Sequence, residues 1–298
     1  MSRTIHTGLS TVQQFHYTPI QSGCSVRCIR DTETGSCFDP DADGVCAENE
    51  VSGCTDSAAL NFNPVATEED DSCEYPGPAQ CDGQTSVTFD GYSYALVGIG
   101  TQCWFKENLR SDNYRNGDPI PGNLSDEEWN STMSGAQTIY GEGLSVVNGG
   151  SNDEVSNFAN YGRLYNWHAV NESRGICPSG FHVPSDSEFI ELEITLGMSP
   201  SEANNTGWRG TDEGLHLKST STDNPSWDGL NTSGFSGLPS GYRYIYGYFE
   251  NGGVNGSWWT STSSESQAFN RDVVSSNSTI LRKPEFTGVG FSVRCIKD

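Results

Sequence analysis

No stretch of this 298-residue chain approaches the roughly 18 to 20 consecutive apolar residues that a membrane-spanning helix needs, so a helical integral membrane protein is excluded. Basic residues are scarce as well: 16 Lys and Arg stand against 39 Asp and Glu, a formal charge of −23. A chain this negative repels phosphate backbones, which argues against a nucleic-acid partner. Apolar residues make up only 34%, yet aromatics reach 11% and there are 34 glycines, a combination that specifies turns and packed rings rather than disorder. Catalytic signatures are missing too. His168, His182 and His216 fall in no H-E-x-x-H run or close His/Cys metal spacing, and no G-x-S-x-G elbow occurs. The opening residues Met1-Ser-Arg-Thr-Ile-His-Thr-Gly lack the apolar centre of a secretory signal. Against that absence stand ten cysteines, a number seldom kept in a reducing cytosol.

What is present is unevenly distributed. Thirteen Asp or Glu and no Lys or Arg fall between Asp31 and Glu74, and seven of the ten cysteines lie between Cys24 and Cys81. A segment this short cannot build an adequate apolar core and relies on disulfides or metal. Ahead of it, Ser25-Val-Arg-Cys-Ile-Arg-Asp31 nearly duplicates Ser292-Val-Arg-Cys-Ile-Lys-Asp298, and Ser10-Thr11-Val12 matches Ser278-Thr279-Ile280 at almost the same offset. Fixed-offset self-similarity marks repeats. Residues 1–31 therefore read as the C-terminal remnant of an upstream copy of the last domain, with neighbouring repeats and an export signal expected further upstream.

Residues 32–52 carry Asp39-Pro-Asp41-Ala-Asp43-Gly44-Val45 and, closing the run, Glu50, which fit the loop D-x-D-x-D-G-x5-E at each fixed position. A Ca²⁺ ion wants six to eight oxygens: carboxylates of Asp39, Asp41 and Asp43, the carbonyl of Val45, and a bidentate Glu50, with Gly44 making the turn. The flanks have no amphipathic helical pattern, so this is no EF-hand, and a solvated acidic linker is the alternative reading. The loop resembles thrombospondin type 3 calcium repeats, with Cys37 and Cys46 bracketing it as a staple. Residues 53–78 hold Gly53-Cys-Thr-Asp, Asn61-Phe-Asn-Pro and Ser72-Cys-Glu-Tyr, which resemble a short module of secreted Bacteroidetes proteins that Cys54 and Cys73 would close. Its cluster Glu68, Glu69, Asp70 and Asp71 reads either as a second calcium site or as a charged spacer.

From residue 79 to 298 short period-two stretches alternate with Gly, Asn and Ser: Ser86-Val-Thr-Phe, Tyr94-Ala-Leu-Val, and residues 241–249 with a row of tyrosines. Asn251-Gly252-Gly253 then turns the chain toward Ser257-Trp-Trp-Thr-Ser-Thr262. Ser185-Asp-Ser-Glu188 is a capping box before Phe189, Leu192 and Leu196, with a stop at Gly197, and Ser125-Asp-Glu-Glu128 is a second one. These signals predict an α+β domain with an antiparallel sheet and few helices. Gln102-Cys-Trp-Phe-Lys-Glu-Asn-Leu-Arg110, Tyr161-Gly-Arg-Leu-Tyr-Asn-Trp-His-Ala-Val170, Gly175-Ile-Cys-Pro-Ser-Gly-Phe-His-Val-Pro-Ser185, Ser233-Gly-Phe-Ser-Gly-Leu-Pro-Ser-Gly-Tyr242 and Gly290-Phe-Ser-Val-Arg-Cys295 resemble, in order, the Fibrobacter succinogenes major paralogous domain; Phe181 stands where that family often has Trp. The resemblance implies a C-type-lectin-like fold, similar also to formylglycine-generating enzymes, and an exported bacterial surface protein. It suggests bridges Cys81–Cys103 and Cys177–Cys295, leaving Cys24 and Cys28 open.

Three functions are compatible with these residues. Formylglycine-type catalysis needs a reactive cysteine pair, which those bridges would consume, and His168 reads as a packed helix residue. Recognition or adhesion, binding a glycan or a surface protein, rests on Tyr244, Tyr246 and Tyr248, set on one strand face, and on Trp258 and Trp259. The lectin-like resemblance adds Asn270, Arg271 and Arg282, in the polar run before the last strand. A structural spacer in a repetitive surface protein is the third reading.

Overall fold

The computed structural model describes residues 79–298 throughout, and ahead of them residues 50–55, 59, 62–70 and 72 together with the strands Ser2–Thr4 and Gln13–Phe15. The expected calcium ligands Asp39, Asp41, Asp43 and Val45, and the cysteines Cys24, Cys28, Cys37, Cys46 and Cys73, lie outside the described residues. The chain divides into two compact units, Met1–Cys73 and Glu74–Asp298.

In the first unit, Ser2–Thr4 pairs antiparallel with Gln13–Phe15. The segment after residue 50 folds back on itself: Gly53 N–H donates to the Glu68 carbonyl at 3.0 Å and Asn63 N–H to the Cys54 carbonyl at 2.9 Å. The Glu69 carboxylate accepts from both the backbone N–H and the hydroxyl of Thr55 at 2.9 Å, so part of the acidic cluster stabilises this turn. Cys54 is buried and disulfide-bonded.

The second unit is an α+β domain of small sheets and short helices. Its five-stranded antiparallel sheet runs Ser86–Phe89, Tyr92–Ile99, Gln102–Phe105, Ile296–Lys297, Phe181–His182. The last strand of the domain is thus inserted between two strands made much earlier. A four-stranded antiparallel sheet runs Gly207–Arg209, Ile280–Phe286, Gln267–Val274, Asn255–Ser264. Disulfides Cys81–Cys103 and Cys177–Cys295 tie the first hairpin and the last strand. The second encloses 118 residues of sequence separation, for which loop-closure entropy gives about 4 to 5 kcal/mol.

Both capping boxes form. Ser185 and Glu188 exchange side-chain-to-backbone bonds at the start of helix Asp186–Thr195, and Ser125 and Glu128 do so at Asp126–Ser131. The spacing of Phe189 and Leu192 places both on the inward face of the first helix, where they are buried and pack with Trp104, Trp258, Val273 and Ile280. Each such side chain contributes roughly 1.5 to 3 kcal/mol. A second core cluster on the other side of the four-stranded sheet gathers Trp259, Ala268, Tyr94, Phe105, Tyr165, Phe291 and Val293.

The expected tyrosine strand over residues 241–249 is corrected. Only Tyr242–Arg243 and Phe249–Glu250 are strands, paired antiparallel, and residues 244–248 form the turn between them. Tyr244 N–H donates to the Tyr248 carbonyl and Gly247 N–H to the Tyr244 carbonyl. Gly247 makes this possible, since its φ is +98° and a Cβ there would stand 2.4 Å from Asp126 Cα.

Candidate functional site

The residues expected to meet a ligand separate into two groups. Trp258, Trp259, Asn270 and Arg271 are at most 1% exposed, so they offer no binding surface, and that expectation is corrected. Their two strands pair with each other in a sheet covered on both faces, with Trp258 opposite Arg271 and Trp259 opposite Asn270. The indoles find internal acceptors: Trp258 donates to Asn108 Oδ1 and Trp259 to the Tyr165 carbonyl. Arg271 and Arg282 turn toward helix Asp186–Thr195 and enter an ion-pair network. Arg271 binds Asp186 at 2.7 Å and Glu193 at 2.6 Å, Arg282 binds Asp186 at 2.6 Å, and Arg209 binds Glu193 at 2.8 Å. Buried guanidiniums of this kind fasten a helix to a sheet and do not await a ligand.

Tyr244, Tyr246 and Tyr248 remain accessible at the tip of their turn, Tyr246 being 58% exposed. Their rings pack on one another, with Tyr244 centred 5.6 Å from Tyr246 and 5.4 Å from Tyr248. The result is a convex knuckle.

A concave site lies elsewhere, and residue patterns gave no signal for it. A cleft of about 550 Å³ is lined by Tyr92, Lys106, Glu107, Arg110, Asn160, Asp223, Asn224 and Asn231, among others. Strand Tyr92–Ile99 begins with the tyrosine, the turn after Gln102–Phe105 supplies the charged residues, and helix Glu154–Tyr161 delivers Asn160 in its last turn. The long polar loop before residue 240 closes the far wall. Arg110 is held against the Tyr92 ring, 4.6 Å from its centroid, by hydrogen bonds from its guanidinium to the carbonyls of Phe158 and Ala159. Asp223 accepts from the Thr220 N–H at 2.7 Å and from Asn231 at 3.3 Å, bonds that hold its carboxyl below the usual range. Behind the cleft, buried Arg294 donates to the carbonyls of Phe235 and Ser236 and to Asn108. Burial pushes this guanidinium down to about 9, partly offset by Glu107. Planar amides, carboxylates, cations and a ring together provide donors and acceptors in both senses, the chemistry needed to hold a polyhydroxylated ligand.

The histidines are accounted for separately. His168 is half-buried in helix Trp167–Val170 and lines another cleft, with its pKa lowered by burial. His182 is clamped between Glu188 at 2.8 Å and Asp298 at 2.6 Å, and the Glu188 bond pushes its pKa up to about 9. His216 bonds Thr232. Among the described residues, no three His, Cys, Asp or Glu side chains gather to hold a metal ion.

The family model of the Fibrobacter succinogenes major domain matches residues 97–297. The chain belongs to that family. No curated protein and no solved structure matches it. The matched span of the Fibrobacter succinogenes major domain contains the whole four-stranded sheet, the ion-pair network, the tyrosine knuckle and most of the cleft, Tyr92 lying just ahead of it. No helix among the described residues is long and apolar enough to cross a membrane.

Proposed function

We propose that the chain is part of an exported bacterial surface or secreted protein, and that its Fibrobacter succinogenes major domain is a non-catalytic, C-type-lectin-like recognition module that takes a glycan in the Tyr92–Asp223 cleft. The observation that carries this reading is the cleft itself: about 550 Å³, sized for one or two sugar rings, with an aromatic ring beside amides and paired charges. Antiparallel sheets with few helices are in keeping with the lectin-like fold. The engagement of Cys81, Cys103, Cys177 and Cys295 in bridges supports a non-catalytic role, since it leaves no thiolate for formylglycine-type chemistry in this domain. Calcium in the loop of Asp39, Asp41, Asp43 and Glu50 would stiffen the strap ahead of the domain.

The test is a glycan array probed with the full chain and with Asn160→Ala. A defined set of glycans should be retained, with affinity about five- to tenfold lower in the variant, the effect of one lost hydrogen bond. Retention unchanged by the substitution moves the site elsewhere; no retention at all favours the spacer. The exposed ring cluster of Tyr244, Tyr246 and Tyr248 supports a second reading, docking of a surface protein, because clustered tyrosines give large contact area at little entropic cost.

A further inference from the structure

The overall charge of −23 makes cations the limiting group in this protein. Every Lys and Arg of residues 79–298 stands in an ion pair except Lys106, Arg110, Arg115 and Arg294. Arg115 is spent on the carbonyls of Cys177 and Phe181. The other three converge. Lys106 and Arg110 line the cleft of the proposed glycan site, and Arg294 lies directly behind Ser236 of its wall.

The geometry leaves positive charge facing inward. The Lys106 side chain is exposed at the rim. The Arg110 Nη groups are committed to carbonyls, which have no net charge to cancel the guanidinium, and its Nε is buried without an acceptor. Arg294 likewise meets only carbonyls and an amide. Two carboxylates share the cleft. Asp223 is satisfied by the Thr220 N–H and Asn231, and Glu107 accepts long bonds from Tyr92 and Ala95 at 3.5 and 3.4 Å. The lining itself holds two cations and two carboxylates, and buried Arg294 behind the wall adds a third positive charge, an excess of one in a protein where acidic residues outnumber basic ones more than twofold. A low-dielectric wall behind the cleft strengthens that field.

We infer that the cleft selects acidic saccharides, with Lys106 and Arg110 facing the sugar's carboxylate or sulfate ester and Asn160 and Glu107 left for its hydroxyls. This rests on the reading of the cleft as a glycan site. Isothermal titration of the full chain with methyl glucuronide, methyl glucoside and 6-sulfated methyl glucoside, at 50 and 500 mM NaCl, separates the possibilities. An anionic sugar should bind at least about tenfold more tightly than the neutral one, the difference shrinking several-fold at high salt as the cations are screened. Whichever anion binds better identifies the acidic group. Lys106→Met, at an exposed position, should leave the melting temperature unchanged and remove most of the preference. Equal or tighter binding of the neutral glucoside overturns acidic selection and leaves the glycan site standing. Failure of all three sugars, together with an empty glycan array, overturns both. An anion preference untouched by Lys106→Met places the anion elsewhere and overturns the assignment to this cleft.

Discussion

Glu193 has no exposed surface and receives both Arg209, at 2.8 and 3.0 Å, and Arg271. Removing its carboxylate strands Arg209 in the interior and leaves Arg271 with Asp186 alone, and breaking a buried pair in this way costs about 3 to 5 kcal/mol. Glu193→Ala should show that loss in urea denaturation, with Glu193→Gln intermediate; a loss under about 1 kcal/mol would mean that water reaches the network. Asp272 illustrates the opposite balance. Burial raises its pKa to about 6, with Asn270 and Lys283 compensating only in part. Because the folded value lies above the unfolded one, near 3.9, the group is harmless when protonated and destabilises the fold progressively as pH rises through 4 to 6. At pH 8 Asp272→Asn should therefore raise the melting temperature, by an effect on the order of 2 to 3 kcal/mol, and at pH 4 it should do nothing. Equal effects at both values would refute the assignment. Neither residue's setting was legible in sequence. Arg271 and Arg282 looked like members of a polar surface run, because carboxylate partners 78 to 96 residues away are invisible to local pattern.

At the scale of elements, the two helices introduced by capping boxes were readable because their determinants are local: Ser185 and Glu188, then Phe189 and Leu192 at helical spacing, then Gly197. The tyrosine row failed for an equally physical reason. Alternation over Tyr242, Tyr244, Tyr246 and Tyr248 fits a strand, but Gly247 lies within van der Waals reach of Asp126, and that contact decides the backbone. The buried tryptophans were misassigned because a sheet covered on both faces gives no alternation of polar and apolar residues. The cleft was missed since its walls come from four separate stretches of chain. The acidic run of residues 32–52, proposed to hold calcium, has its own test. Millimolar Ca²⁺ should raise the first melting transition of the full chain, and replacing Asp41 and Asp43 by Asn should abolish the rise. An unchanged wild-type transition would leave residues 32–52 as a charged spacer.

For the whole molecule, the division between an acidic, cysteine-rich front and a milder aromatic domain was visible in composition alone, and the family followed from ordered motif blocks. The strand order was not. The final strand Ile296–Lys297 sits between Gln102–Phe105 and Phe181–His182, and the residues around it, Phe291, Val293, Arg294 and Cys295, are among the most deeply buried in the domain. Synthesis delivers a chain from its N-terminus onward. Until the last eight residues have emerged, the five-stranded sheet has a gap between Gln102–Phe105 and Phe181–His182, Cys177 lacks its partner, and the walls of the cleft have no Arg294 behind them. The domain thus stays open through synthesis and latches only once its last residues are present. A chain ending at residue 290 should accumulate as a protease-sensitive species with a free Cys177 thiol, whereas the full chain resists both protease and thiol reagents. The heptapeptide of residues 292–298 is, in this light, the segment that closes the domain.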